Sequence, residues 1–223
     1  MSTIGNNLNA VRASLPEGVD LVAVSKYHPV EEMMEAYDAG QRVFGESLVQ
    51  ELRLKQQRMP ADVQWHFIGH LQTNKVKYIA PYINLIHGID SLKLLCEVNR
   101  QALKHKRVID CLLQLHVAVE ATKFGFTMEE CRLLLDSGEW RSLEGVRLCG
   151  VMCMASNTDD NERVCHDFRS VFAFFNEIKE KYFSGDPSFC LRSYGMSDDY
   201  PLAIAEGSNL IRVGTTIFGP RRY

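Results

Sequence analysis

The sequence predicts a closed (β/α)8 barrel, and three observations carry that prediction. Short apolar runs alternate with longer helical patterns along the whole chain, eight of the former with seven of the latter between them. The runs are rich in Val, Ile, Leu and Phe without strict polar alternation, as suits parallel strands buried on both faces. An open doubly wound sheet usually has fewer strands and often announces its ligand by a G-x-G-x-x-G turn, and no such turn occurs here.

An extra helix comes first. Ile4, Leu8, Val11 and Leu15 recur at three- and four-residue spacing behind Ser2 and Thr3 as candidate caps, and Pro16 with Gly18 ends the pattern. Leu21–Lys26 is then the first strand, followed by helix Val30–Ala39 and strand Arg42–Glu46. Ser47–Arg58 reads as helix, Trp65–His70 as an aromatic and β-branched strand closed by glycine, and Asn74–Tyr82 as helix. Strand Leu85–Ile89, helix Ser91–His105, strand Cys111–Val117 and helix Met128–Leu135 continue the alternation. Strand Val146–Met154, helix Asp160–Tyr182, strand Phe189–Tyr194, helix Tyr200–Ala205 and strand Leu210–Phe218 complete it. No linker, repeat or low-complexity stretch interrupts the series, so residues 1–223 are expected to form a single barrel domain.

Composition excludes several classes of function. With 46% hydrophobic and 24% charged residues the chain is neither disordered nor fibrous, and a formal charge of −3 offers no electrostatic footprint for nucleic acid. The short basic stretch Lys104, Lys106, Arg107 sits where a helix C-terminus favours cations. Met1 to Pro16 lacks the apolar centre of a signal peptide, and no apolar run approaches the ~18 residues needed to cross a bilayer. A soluble, cytoplasmic protein without membrane association is expected. Seven cysteines, an odd count with no C-x-x-C, argue for buried thiols rather than a disulfide framework. His66 and His70 have the i, i+4 spacing of a metal pair, but they fall in a strand pattern, so no metal site is expected.

In a barrel, chemistry sits at the carboxyl ends of the strands, so the polar residues closing each apolar run are the candidates. Lys26 closes the first run, where desolvation favours the neutral amine that a Schiff base requires. The last two strands usually supply a barrel's phosphate site. After the seventh, Gly195-Met196-Ser197-Asp198-Asp199 places a turn glycine and a hydroxyl at the start of a helix whose amides favour an anion. After the eighth, Arg212-Val213-Gly214-Thr215-Thr216 supplies unobstructed amides at Gly214 and hydroxyls at Thr215 and Thr216. Arg212 lies two residues before Gly214, so the strand period aims both into the barrel, where a buried arginine needs a partner. A phosphate cup, a strand-end lysine and an inward arginine together describe a phosphorylated aldehyde held as an imine. Pyridoxal 5′-phosphate (PLP) is the obvious candidate, with Lys26 forming the imine, Ser197, Gly214 and Thr215 holding phosphate, and Arg212 at the pyridine nitrogen.

At these residues the sequence resembles the pyridoxal phosphate homeostasis proteins, relatives of the alanine racemase barrel. The motifs are Ala23-Val24-Ser25-Lys26, Val43-Phe44-Gly45-Glu46 with Gln50-Glu51, and Trp65-His66-Phe67-Ile68-Gly69 with Leu71-Gln72 and Asn74-Lys75. Lys123 with Gly125, Gly150-Val151-Met152, Gly195 to Asp199 and the block Ala203 to Gly219 follow in order, so the match covers nearly the whole chain. The resemblance implies an alanine racemase N-terminal-domain-type barrel preceded by an extra helix, with PLP on Lys26, phosphate contacts at Ser197 and Thr215, and Arg212 facing the pyridine. Three positions depart from the family pattern: Ser47 and His116 where asparagine is usual, and His70 where proline is frequent.

Racemases of this fold, by the same resemblance, add a β-rich domain carrying a tyrosine base, for which a chain ending at Tyr223 leaves no room. A permanently charged arginine at the ring nitrogen also weakens the cofactor as an electron sink. The expectation is therefore a monomeric carrier without strong catalytic activity that sequesters PLP and passes it to PLP-dependent apoenzymes through transient contacts. By limiting free aldehyde, it would influence amino-acid and keto-acid pools. Lys75 and Lys123 are candidates for a second lysine in transfer. Two alternatives remain: a racemase or lyase of low activity using Lys26 with Tyr27, His66 or His116, and a cofactor-independent aldolase whose phosphate cup takes a sugar phosphate.

Overall fold

The structure, a computed structural model, describes residues 2–117 and 124–220. Its centre is a closed barrel of eight parallel strands in sequential order, β1 (Asp20–Val24), β2 (Val43–Glu46), β3 (Gln64–Phe67), β4 (Leu85–Ile89), β5 (Ile109–Leu115), β6 (Val146–Cys153), β7 (Leu191–Ser193) and β8 (Leu210–Val213). Closure is made by β8 pairing back onto β1, with Leu21 opposite Ile211 and Ala23 opposite Val213. Around it lie α1 (Thr3–Ala13), α2 (Val30–Asp38), α3 (Val49–Gln56), α4 (Leu92–Lys104), α5 (Met128–Ser137), α6 (Asn161–Tyr182), α7 (Tyr200–Ala205) and α8 (Thr215–Phe218).

Local chemistry explains the boundaries. The Ser2 hydroxyl accepts from the Gly5 amide and starts α1, whose Ile4, Leu8 and Val11 are buried. Thr127 and Glu130 form a reciprocal capping box at α5, and Gly138 in the left-handed region stops it. Asp160 caps α6 by accepting from Glu162 and Arg163. Strand alternation divides the apolar side chains into two sets. Val22, Leu85, Leu112, Cys149, Met152 and Leu210 fill the barrel interior, whereas Phe44, Trp65, Ile86 and Val151 belong to the larger shell between strands and helices.

The expected barrel and its leading helix are present, with three local corrections. The eighth strand stops at Val213, and Thr215–Phe218 turns into a short helix, because the Ile217 and Phe218 amides both donate to the Gly214 carbonyl. The third strand ends at Phe67 rather than His70, since Gly69 packs so tightly on the Ser47 backbone that the chain leaves the ladder. The segment expected as helix Asn74–Tyr82 is a 3-10 turn at Thr73–Tyr78, ending in a tight loop whose Tyr82 and Ile83 amides return to the Ile79 carbonyl.

Candidate functional site

Lys26, Ser197, Arg212, Gly214 and Thr215, brought from three segments of the chain, line one cavity of about 170 Å³ together with His28 and Ile68. It lies at the carboxyl ends of β7, β8 and β1, which are neighbours in the barrel wall. Val22 faces the interior and Val24 lines the cavity, so the β1 period delivers Lys26 to the same side two residues after Val24. The chain then turns sharply at Tyr27, whose φ of 65° is left-handed, and the His28 amide donates back to the Ser25 carbonyl at 3.1 Å. His28 ends up buried, stacked on Phe218 with its Nδ1 2.8 Å from Glu32.

The turn carrying Lys26 is clamped from outside the barrel wall. Lys55 of α3, itself buried, donates through Nζ to the Ser25 carbonyl at 2.6 Å, to Glu46 Oε1 at 2.8 Å and to Glu51 Oε1 at 2.6 Å. The Ser25 hydroxyl donates to Glu46 Oε1, and the Tyr27 amide donates to Glu51 Oε1. Both neighbours of Lys26 are therefore tied into one buried ionic cluster. Glu46 Oε2 and Glu51 Oε2 have no hydrogen-bond partner there, and burial, with Glu51 adding to it against Lys55, pushes the Glu46 carboxyl up to about 7.

The opposite wall comes from the loops after β7 and β8. Gly195 has φ of 93°, and a Cβ there would lie 2.6 Å from that of Ala203, so only glycine fits the turn that returns the chain into α7. Asp199 accepts from the Met196 amide and is held above the usual carboxyl range by burial. The Ser197 hydroxyl accepts from the Gly214 amide at 3.2 Å, stitching the two loops together. That bond occupies the Gly214 amide, and a Cβ on Gly214 would approach the Val24 carbonyl to 3.1 Å, so this glycine serves the close approach of β8 to β1. Helix geometry leaves the amides of Thr215 and Thr216, at the first turn of α8, without intrahelical acceptors.

Arg212 is buried in the barrel, as its strand position required. Its partners are not carboxylates. Nη1 donates to the Ser193 carbonyl at 2.6 Å and the Ser193 hydroxyl at 2.7 Å, and Nη2 donates to the Cys153 carbonyl at 3.0 Å. These bonds use the two terminal nitrogens and leave Nε outside them. Burial lowers the guanidinium's pKa from its ordinary value, though Cys153 and Asp199 oppose the shift.

Other residues singled out in the sequence fall elsewhere. Ser47 and His116, the departures from the family pattern, do not line the cavity, nor do Tyr27, His66 or Lys75. His66 is buried inside the barrel on β3, whereas His70 stands in the following loop, stacked on Phe124 and hydrogen-bonded to Asp90, so the two do not converge. Lys123 lies outside the described residues. Sequence reasoning missed His28 because the left-handed turn at Tyr27 breaks the strand period. It also missed Ser193, whose role depends on a partner 19 positions away.

Over residues 1–222 the chain matches the alanine racemase N-terminal domain family. It is 38% identical to the pyridoxal phosphate homeostasis protein of Schizosaccharomyces pombe, over 99% of this chain and 94% of that relative. Two solved structures of PipY from Synechococcus elongatus PCC7942, one without PLP and one with PLP bound, are 35% identical to it. Each covers 97% of this chain and 100% of its own, with TM-scores of 0.90 and 0.86 respectively. An alanine racemase from E. faecalis shares the fold alone, at 19% identity and a TM-score of 0.73, over 98% of this chain and 58% of the racemase.

Proposed function

The chain belongs to the pyridoxal phosphate homeostasis protein family, built on the fold of the alanine racemase N-terminal domain, and we propose that it holds PLP at Lys26 as a carrier of that cofactor. The observation that supports this best is the convergence on one cavity of an amine from the turn after β1, hydroxyls and amides from the loops after β7 and β8, and a buried guanidinium. That donor set fits a flat aromatic aldehyde bearing a phosphate. When bound, PLP supplies an aldehyde that an amine engages reversibly.

The residues have distinct tasks. Lys26 presents Nζ for covalent attachment, steadied by the cluster that holds Ser25 and Tyr27. Ser197 and Thr215, with the first-turn amides of α8 that follow Gly214, would bind the phosphate oxygens. Arg212, its terminal nitrogens fixed by Ser193 and Cys153, lines the cavity and would face the ring nitrogen of bound PLP. Because a guanidinium does not release its proton near neutral pH, Arg212 would keep that nitrogen unprotonated and weaken electron withdrawal by the ring. This supports retention and release over turnover. We read residues 1–223 as one barrel domain acting as a monomer in the cytoplasm, handing PLP to apoenzymes through transient contacts. Among the described residues no helix is long and apolar enough to cross a membrane.

The test is the visible spectrum of the purified protein incubated with PLP, followed by borohydride reduction and peptide mapping. A visible band abolished by reduction, with a pyridoxyl phosphate adduct on Lys26, is the expected result. A protein that stays colourless and unmodified overturns the proposal.

A further inference from the structure

The barrel interior is not wholly apolar. A hydrogen-bonded file of four polar side chains runs through it: Arg212 Nη1 to Ser193 Oγ at 2.7 Å, Ser193 Oγ to His87 Nδ1 at 2.9 Å, and His87 Nε2 to His66 Nδ1 at 3.1 Å. Ser193 and His87 are fully buried, Arg212 and His66 nearly so. At one end Arg212 lines the cavity of Lys26. At the other, His66 lines a separate cavity at the amino ends of the strands, beside Asp20, Gln64, Leu85 and Leu210.

Proton counting orients the file. Arg212 can only donate, so Ser193 Oγ accepts from it. The single hydroxyl hydrogen of Ser193 then has one acceptor among these bonds, His87 Nδ1. His87 must carry its hydrogen on Nε2 and donate to His66 Nδ1, and His66 must carry its own on Nε2, toward the second cavity. The opposite orientation would leave the Ser193 hydroxyl hydrogen buried without an acceptor, at a cost in desolvation. In the favoured order each dipole turns its negative end toward Arg212, a cation that hydrogen-bonds no carboxylate among the described residues and feels Asp199 only through space. Both imidazoles are neutral: burial brings His66 down to about 3 and, together with the nearby His66 and Arg212, holds His87 well below its ordinary value.

We infer that His87 and His66 are positioning residues for PLP binding, forming with Ser193 an oriented chain that fixes Arg212 where it lines the cavity. This rests on the reading of the cavity as a PLP site. The chain acts on the ligand only through Arg212, so its loss should alter how the ring is held while leaving attachment at Lys26 possible.

Two measurements test it. PLP titrations of the wild-type protein, His87→Leu and His87→Gln are followed by the visible band and its pH profile, with the melting curve of the ligand-free protein checking the fold. Leucine removes both bonds and should weaken binding about tenfold and move the pH profile. Glutamine can accept and donate in the same places and should bind within about threefold of wild type. Separately, nitrogen-15 NMR of the histidines in wild-type protein should find His87 and His66 neutral at pH 5, both as Nε2–H tautomers. Wild-type affinity and pH profile in a folded His87→Leu protein, or an Nδ1–H tautomer at His87, overturn the inference. Failure of the wild-type protein itself to bind PLP refutes the site reading instead, and removes what the chain is inferred to serve.

Discussion

Replacing Glu46 by glutamine tests the cluster behind Lys26 through a pH dependence whose sign the structure dictates. Glu46 is fully buried, accepts from Ser25 and Lys55 on one oxygen, and has its second oxygen buried without a partner. Its carboxyl titrates at about 7 in the folded protein against an ordinary value of 4.5, chiefly because burial penalises the anion. Between those two values the folded state binds a proton that the unfolded state has released. Stability therefore falls as pH rises through that window, and the full penalty is present above pH 7. At about 1.4 kcal/mol per pH unit, the penalty is roughly 3 kcal/mol. Glutamine keeps the accepting oxygen for Ser25 and Lys55 and has nothing to titrate. Losing the charge attraction to Lys55 gives the variant a constant offset, but its stability relative to wild type should improve by roughly 3 kcal/mol between pH 4.5 and pH 8. For a chain of this size that corresponds to roughly 6–12 °C in relative melting temperature. Urea unfolding of both proteins across this range reads the difference directly. Parallel curves would refute the reasoning, because a carboxyl ionised in both states at pH 5 carries no such linkage.

Other substitutions probe the remaining parts of the site. Lys26→Ala should abolish the borohydride-trapped adduct while leaving weaker, phosphate-anchored PLP binding, measurable by dialysis against radiolabelled or fluorescent ligand; an undiminished adduct would move the attachment point elsewhere. Lys55→Met should cost about 3–5 kcal/mol in urea unfolding at pH 8, because it leaves two carboxylates facing each other without their cation. Ser197→Ala should lower PLP affinity about tenfold through loss of a phosphate donor. Its melting temperature should stay within a few degrees of wild type, since the hydroxyl is only half-buried and its partner is one amide. Gly195→Ala should destabilise by about 1–3 kcal/mol in thermal unfolding, from the left-handed φ and the 2.6 Å approach to Ala203.

The parts of this architecture that depend on local period could be read from the sequence. Strand parity carries Val22, Val24 and Lys26 to one side of β1 and Leu210, Arg212 and Gly214 to one side of β8, so the cavity residues follow from spacing once a barrel is assumed. What spacing could not supply were contacts set by the winding of the barrel. Ser193, His87 and Arg212 come from β7, β4 and β8, and only closure brings their side chains into one file. The run Leu210–Phe218 reads as unbroken strand because Ile217 and Phe218 are apolar, yet their burial is helical, with both of their amides on the Gly214 carbonyl. Lys55 and Glu51 look like an ordinary i, i+4 surface pair in sequence. The burial of Lys55 follows from its reach to the Ser25 carbonyl beyond the end of β1, a tertiary fact.

The same geometry bears on the proposal that the site holds a cofactor and does not process a substrate. Inverting or eliminating at an amino-acid carbon requires proton transfer at a carbon whose charge the cofactor ring must absorb, and usually a second proton carrier across from the lysine. On the proposed reading Arg212 would oppose the first requirement, since its proton would stay on the guanidinium and leave the ring nitrogen neutral. For the second, His28 lines the cavity with Nδ1 on Glu32 and its face on Phe218, so its Nε2 is the group that a turnover assay must interrogate. Tyr27 is turned outward by its left-handed backbone, and His66 belongs to the interior chain behind Arg212. The cluster of Glu46, Glu51 and Lys55 spends its bonds on the backbone either side of Lys26. An amino-acid racemisation assay with PLP-loaded protein should accordingly give rates no more than about tenfold above those of free PLP with a lysine peptide. Turnover well above that bound would mean that another group reaches the substrate carbon, and the carrier reading would have to yield to the enzyme.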